Sequence, residues 1–195
     1  MLPKFATIIA CGGAGKRFGE DKALQLLAGE TLLARAIRIA RSYGCPIALA
    51  ARNAEIPRSE SLPVLLDEQP DLGPISALAS GFAFSVRGDC SHVLLLACDQ
   101  PFLPDDLAKR LADAIGDNGV AIPVSNGHDQ NMAALWRCAP NKLKDYIAGG
   151  GRSLWRFGES VGITRVNWDD SDADSFTDID DRVQLAAAEE RLRTE

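Results

Sequence analysis

Histidine is nearly absent from this 195-residue chain, which holds only His92 and His128. The five cysteines (Cys11, Cys45, Cys90, Cys98, Cys138) are odd in number and include no C-x-x-C pair. A structural zinc site is therefore not expected, and reduced thiols suit a cytoplasmic setting. Basic residues are outnumbered, 21 Lys and Arg against 27 Asp and Glu, for a formal net charge of −6. That balance argues against a general nucleic-acid binder, which carries a basic face, but leaves room for a local basic pocket. No apolar run approaches the roughly eighteen residues that span a membrane. Met1-Leu2-Pro3-Lys4 leads directly into the first apolar run, so no signal peptide is expected. Repeats, linkers and low-complexity segments are also missing.

What is present reads as an ordinary globular chain, 46% hydrophobic and 25% charged, long enough for one sizeable domain. Apolar runs at Phe5–Ala10, Ile47–Ala51, Val64–Leu66, Val93–Ala97, Val120–Val124, Met132–Trp136 and Ile163–Trp168 predict strands. Thr31 predicts an N-cap for a helix through about Tyr43, with Arg35, Arg38 and Arg41 as a solvated stripe and Gly44 as its stop. Further helices are predicted after Pro74, near Pro104, over Pro140–Ala148, over Ser153–Phe157 and over Asp181–Arg193, with Asp169–Asp174 as a loop. Strands alternating with helices predict a single three-layer α/β/α domain with a mostly parallel twisted sheet.

The chain is organised around residues 7–22, where a strand runs into a loop with four glycines and three cations. Glycine lets backbone amides approach a bound group closely, and a row of amides with Lys and Arg beside it cradles an anion. The simplest such anion is a nucleotide phosphate. Two familiar phosphate loops fail. The ATPase loop would need Gly at Ala10 and Ser or Thr at Arg17. The dinucleotide fingerprint would need Gly at Phe18. What stands is G-G-x-x-x-R-F-G-x-x-K, from Gly12-Gly13 through Arg17-Phe18-Gly19 to Lys22.

Two acidic positions complete a possible site. Asp99 directly follows the most hydrophobic strand, in Cys98-Asp99-Gln100-Pro101, which places a carboxylate at the carboxyl edge of the sheet beside the glycine loop. Near the end of the chain, Asp178-Ile179-Asp180 precedes the last helix, where Asp is a common kind of helix cap. Arg152, after three glycines, is a candidate for a phosphate on a second substrate. His128 reads as a turn residue, and no cysteine has an activating partner beside it.

The glycine loop, with Asp21-Lys22, Asp71-Leu72-Gly73-Pro74, Cys98-Asp99-Gln100-Pro101 and Phe176–Asp180, resembles the molybdenum cofactor guanylyltransferase family, over residues 5 to about 190. The resemblance implies a nucleotide-diphospho-sugar transferase-like fold with a Rossmann-like nucleotide-binding half (1–115) and an acceptor-binding half (116–195). It implies transfer of GMP from GTP to the terminal phosphate of Mo-molybdopterin, with release of pyrophosphate and formation of a guanine dinucleotide. Arg17, Lys22 and Asp99 carry over as catalytic residues. Ala10, Gly12, Gly13, Lys22, Arg52 or Asn53, Asp67 and Asp99 carry over as GTP contacts, and Cys11, Gly73 and Arg152 are further candidate substrate contacts. Asp99 and Asp180 carry over as ligands of Mg²⁺, with Mn²⁺ as its expected substitute. A monomer or weak homo-oligomer with transient protein partners in cofactor delivery is expected, with neither nucleic acid nor membrane as partner. The family often has Leu-Ala-Gly-Gly where Ala10-Cys11-Gly12-Gly13 stands, and His-Pro-Thr where Gln130-Asn131-Met132 stands. Asp178-Ile179-Asp180, in place of Asn-x-Asn, leans toward the cytidylyl relatives; the alternatives are cytidylyl transfer to the same pterin and nucleotidyl transfer to another phosphorylated metabolite.

Overall fold

The first apolar run forms β1 (Phe5–Ala10), and the chain builds outward on both sides of it. The structure, a computed structural model, describes residues 3–11, 22–52, 62–67, 72–168 and 175–194. Gly12, Gly13, Arg17, Asn53 and Asp71, and the expected loop at 169–174, lie outside the described residues.

After a short 3-10 turn at Lys22–Leu24 come the small hairpin of β2 (Leu26–Leu27) and β3 (Glu30–Thr31) and then α1 (Leu32–Ser42). Then follow β4 (Ile47–Ala51), β5 (Val64–Leu66), α2 (Pro74–Arg87), β6 (His92–Ala97) and α3 (Leu107–Ala114). The second half holds β7 (Val120–Ser125), β8 (His128–Asp129), β9 (Ala133–Arg137), α4 (Pro140–Ala148), α5 (Leu154–Val161), β10 (Ile163–Asn167) and α6 (Arg182–Thr194). Among the described residues eight strands form one sheet in the order β10-β7-β9-β6-β1-β4-β5, with β8 paired to β7.

The β1, β4, β5, β6 part is parallel, as is β10 on β7, whereas β9 runs antiparallel to both β6 and β7. Residues 126–132 are too few for a crossover helix, so the chain must turn back and pair antiparallel. Asn126 and Gly127 make that turn with φ of 52° and 73°, the positive values a two-residue hairpin needs. His128 therefore opens a short strand instead of sitting in the turn, and it is exposed.

Both faces of the sheet are covered. Ile9, Leu94 and Leu96 pack with Leu33, Ile37 and Leu107 of α1 and α3 on one side. Ile8, Val93 and Leu95 pack with Leu78, Leu143 and Phe157 of α2, α4 and α5 on the other. Alternate residues of one strand serve opposite cores, so the buried strands read as continuous apolar runs. Thr31 caps α1 through its hydroxyl, which accepts from the Ala34 amide at 3.1 Å. The arginine stripe departs from expectation at Arg35. The hairpin brings Glu30 over the first turn, and Arg35 lies 3.5 Å from it with its side chain mostly buried. Among the described residues no helix is long and apolar enough to cross a membrane.

Candidate active site

Register places the site. Ala10 of β1 pairs with Ala50 of β4 on one side and with Ala97 of β6 on the other. These three parallel strands therefore end level, and Cys11, Arg52 and Cys98-Asp99 leave the sheet side by side at its carboxyl edge, where open α/β sheets bind ligands. Asp67 joins them from β5, with its amide on the Ala51 carbonyl at 2.9 Å. A cleft of about 250 Å³ opens there, lined by Ala10, Cys11, Lys22, Arg52, Asp67, Gly73, Pro74, Ala77, Cys98, Asp99, Met132 and Asp178.

Lys22 ties the two ends of the molecule together. Its Nζ donates to Asp99 Oδ2 at 2.5 Å and to Asp180 Oδ1 at 2.6 Å. The lysine side chain is only 11% exposed. Burial by itself would lower the pKa of its ammonium, but the bonds to Asp180 and Asp99 outweigh that and hold it above the usual lysine range. The Asp180 segment reaches Lys22 because the buried Ile179, 1% exposed, plugs a small cluster with Leu27, Leu32 and Ala188. The Ile179 amide also donates to the Asp99 carbonyl at 3.0 Å.

Three further features shape the electrostatics. Asp99 Oδ1 and Asp67 Oδ1 are buried and have no hydrogen-bond partner among the described residues. Desolvation raises the Asp67 carboxyl above its ordinary range, against the opposing pull of Ser76 and Arg52. Desolvation, with the charges of Asp99 and Asp180, pushes Asp178 up to about 6, although much of that residue's surface is open. The Cys98 thiol, hydrogen-bonded to Cys11 and buried, is raised well above the usual thiol range. Held protonated, it is not a nucleophile. Gly73, at φ 72° and ψ −147°, caps α2 and brings bare backbone to the cleft wall, in a conformation nearly confined to glycine.

Of the substrate contacts expected from the sequence, Ala10, Cys11, Lys22, Arg52, Asp67, Gly73 and Asp99 line one cleft. Asp180 stands at its edge through Lys22. Arg152 is exposed just before the N-terminus of α5 and is not among the lining residues. Asp178 was passed over as a site residue, although its signal was present: in an extended segment residues two apart share a side, so an Asp180 turned to the site implies Asp178 beside it and Ile179 facing inward.

A mostly parallel sheet whose carboxyl edge gathers a lysine, carboxylates and an unfilled acceptor is here the framework of a nucleotidyltransferase. Residues 7–161 match the MobA-like NTP transferase domain, and the chain belongs to that family. The molybdenum cofactor guanylyltransferase of Rhodobacter capsulatus is 34% identical over 193 residues, covering 97% of each chain. The enzyme of the same name from Cupriavidus metallidurans is 32% identical over 195 residues, covering 94% of this chain and 95% of its own. Among solved structures, the molybdopterin-guanine dinucleotide biosynthesis protein A of Archaeoglobus fulgidus shares the fold with a TM-score of 0.81 at 18% identity, over 97% of this chain and all of its own. The 2-C-methyl-D-erythritol 4-phosphate cytidylyltransferase of Thermus thermophilus shares it with a TM-score of 0.71 at 16% identity, over 99% of this chain and all of its own.

Proposed function

We propose that this enzyme transfers GMP from GTP to the terminal phosphate of Mo-molybdopterin, releasing pyrophosphate and forming molybdopterin guanine dinucleotide in the cytoplasm. The observation that carries the reading is the buried Lys22 held between Asp99 and Asp180 at the mouth of the cleft, in a chain whose close relatives bear the guanylyltransferase name.

Nucleotidyl transfer demands positioning and charge neutralisation more than covalent chemistry by the protein. Lys22 presents its positive charge where the triphosphate oxygens arrive, and its two ion pairs hold it there before substrate binds. Asp67, with an unfilled acceptor oxygen, meets N–H or O–H donors of the nucleoside. The bare backbone at Gly73 and the small residues Ala10 and Ala77 leave room for a flat base against the sheet edge. Asp99 and Asp180 are the residues that would hold Mg²⁺ or Mn²⁺. Their fit rests on the hard-oxygen donor set, on their convergence upon one cation, and on the unfilled Asp99 Oδ1. Such an ion is commonly held by one or two carboxylates together with substrate phosphates, and Asp99 and Asp180 would supply the carboxylates. When bound, such an ion neutralises triphosphate charge and polarises the phosphorus under attack.

The test is pyrophosphate release with Mo-molybdopterin and each of the four nucleoside triphosphates in turn. GTP is expected to be turned over far faster than CTP. A preference for CTP would overturn the guanylyl assignment and favour the cytidylyl alternative, and turnover of a sugar phosphate in place of the pterin would overturn the acceptor.

A further inference from the structure

A second group of linked side chains lies at the carboxyl end of β7, in the second half of the chain. Trp155, in the first turn of α5, is 39% exposed and is the one aromatic among the exposed large hydrophobic residues described. It is not a loose surface ring. Its Nε1 donates to Asp129 Oδ2 at 3.2 Å. Arg165 grips that same carboxylate with Nε on Oδ1 at 2.9 Å and Nη2 on Oδ2 at 2.8 Å. One edge of the indole is therefore anchored to β8 and β10 while much of the ring stays open.

The anchor leads back to the nucleotide cleft. Asp129 is separated from Met132, a lining residue of that cleft, by Gln130 and Asn131 alone. Three residues of chain span at most about 10 Å. Met132 also packs in the same core cluster as Leu154 and Phe157, the neighbours of Trp155 on α5, so the indole and the cleft wall share one side of the sheet. On the connecting strip, Asn131 donates from Nδ2 to the Asp129 carbonyl at 3.3 Å. Its Oδ1 is buried and has no partner among the described residues, an arrangement that costs stability unless a ligand fills it.

We infer that Trp155 and Asn131 form the acceptor subsite. The indole face stacks on a fused nitrogen heterocycle, and Asn131 Oδ1 accepts one of its ring or amino hydrogens. The heterocycle's phosphate points along the strip toward Asp99. The inference rests on the proposed reaction for the identity of the heterocycle, a pterin, and departs from it in assigning recognition to these two side chains. Asp129 and Arg165 are positioning residues that act through Trp155.

The experiment pairs kinetics with binding. Trp155→Ala is expected to raise the KM for molybdopterin about tenfold, the scale of one base–aromatic stack, and to leave the KM for GTP unchanged. Trp155→Phe is expected to recover most of that loss, and Asn131→Ala to raise the acceptor KM severalfold. Trp136 and Trp168 are buried at 0% and 4% exposure, so contact quenching of tryptophan fluorescence by molybdopterin should come from Trp155, and total quenching should drop sharply in Trp155→Phe. An unchanged acceptor KM in Trp155→Ala, equal rises in both KM values, or quenching undiminished in Trp155→Phe would each overturn the subsite. The titration needs no turnover. A wild-type protein inactive with GTP but quenched through Trp155 would sink the proposed reaction and leave the subsite standing.

Discussion

A lysine joining two carboxylates is the smallest unit of the proposed chemistry. Lys22 and Asp99 are costly alone, because a largely buried charge without its counter-charge loses solvation and regains nothing. Lys22→Ala should lower kcat for pyrophosphate release by about a hundredfold or more, the scale seen when one transition-state donor is removed. It should also lower Tm, since Asp99 is then left unpaired. Asp178 behaves differently. Its carboxyl titrates near 6 in the folded protein, above its ordinary 3.8, so between these values the folded state binds more protons than the unfolded state. Stability contributed at this position therefore falls as pH rises from about 4 to about 6, and stays lower above that. Exposure of the side chain screens the effect and keeps it small. Asp178→Asn is expected to raise Tm at pH 7.5 and to change it little near pH 4; equal shifts at both pH values would contradict the assignment. Asp99 was legible in the sequence because it follows an unbroken apolar strand. The raised pKa of Asp178 was not, since it depends first on desolvation in the folded cleft and then on the charges of Asp99 and Asp180 gathered there.

Strand ends, more than loops, carry the described part of the site. The level ends of β1, β4 and β6 follow from their pairing register, and α2 begins where the cleft needs a wall. Gly73 fits that junction with its positive φ. Gly73→Ala should cost roughly 1–3 kcal/mol of stability through backbone strain and raise the KM for GTP, measured by denaturant titration and initial rates. Element existence was largely readable: the Thr31 cap, the Pro74 start and the apolar strands all lie where local chemistry put them. The environment of Arg35 was not, because helical spacing separates faces but does not reveal that a hairpin folds Glu30 over one of them.

At the scale of the whole molecule, the last segment closes the site that the first segment opens. Ile179 is buried and its amide is bonded to the Asp99 carbonyl, so the satellite cluster beneath it sets where Asp180 stands. Ile179→Ala should lose about 2–5 kcal/mol, as large-to-small changes at buried sites do. Activity should fall with it, because Asp180 loses its footing; full activity in a destabilised variant would separate the plug from the site. Composition and periodicity alone determined the α/β class, the covering of both sheet faces and the rim at which Asp99 stands, because these depend on local pattern and on the fixed hand of strand–helix–strand units. Tertiary structure alone decided the order of the strands, the meeting of Lys22 with a carboxylate 158 residues away and the anchoring of Trp155 by Asp129. Each of these is a contact between segments whose separate sequences are satisfied by many partners, and only the competition among all apolar faces for one core selects which pair forms.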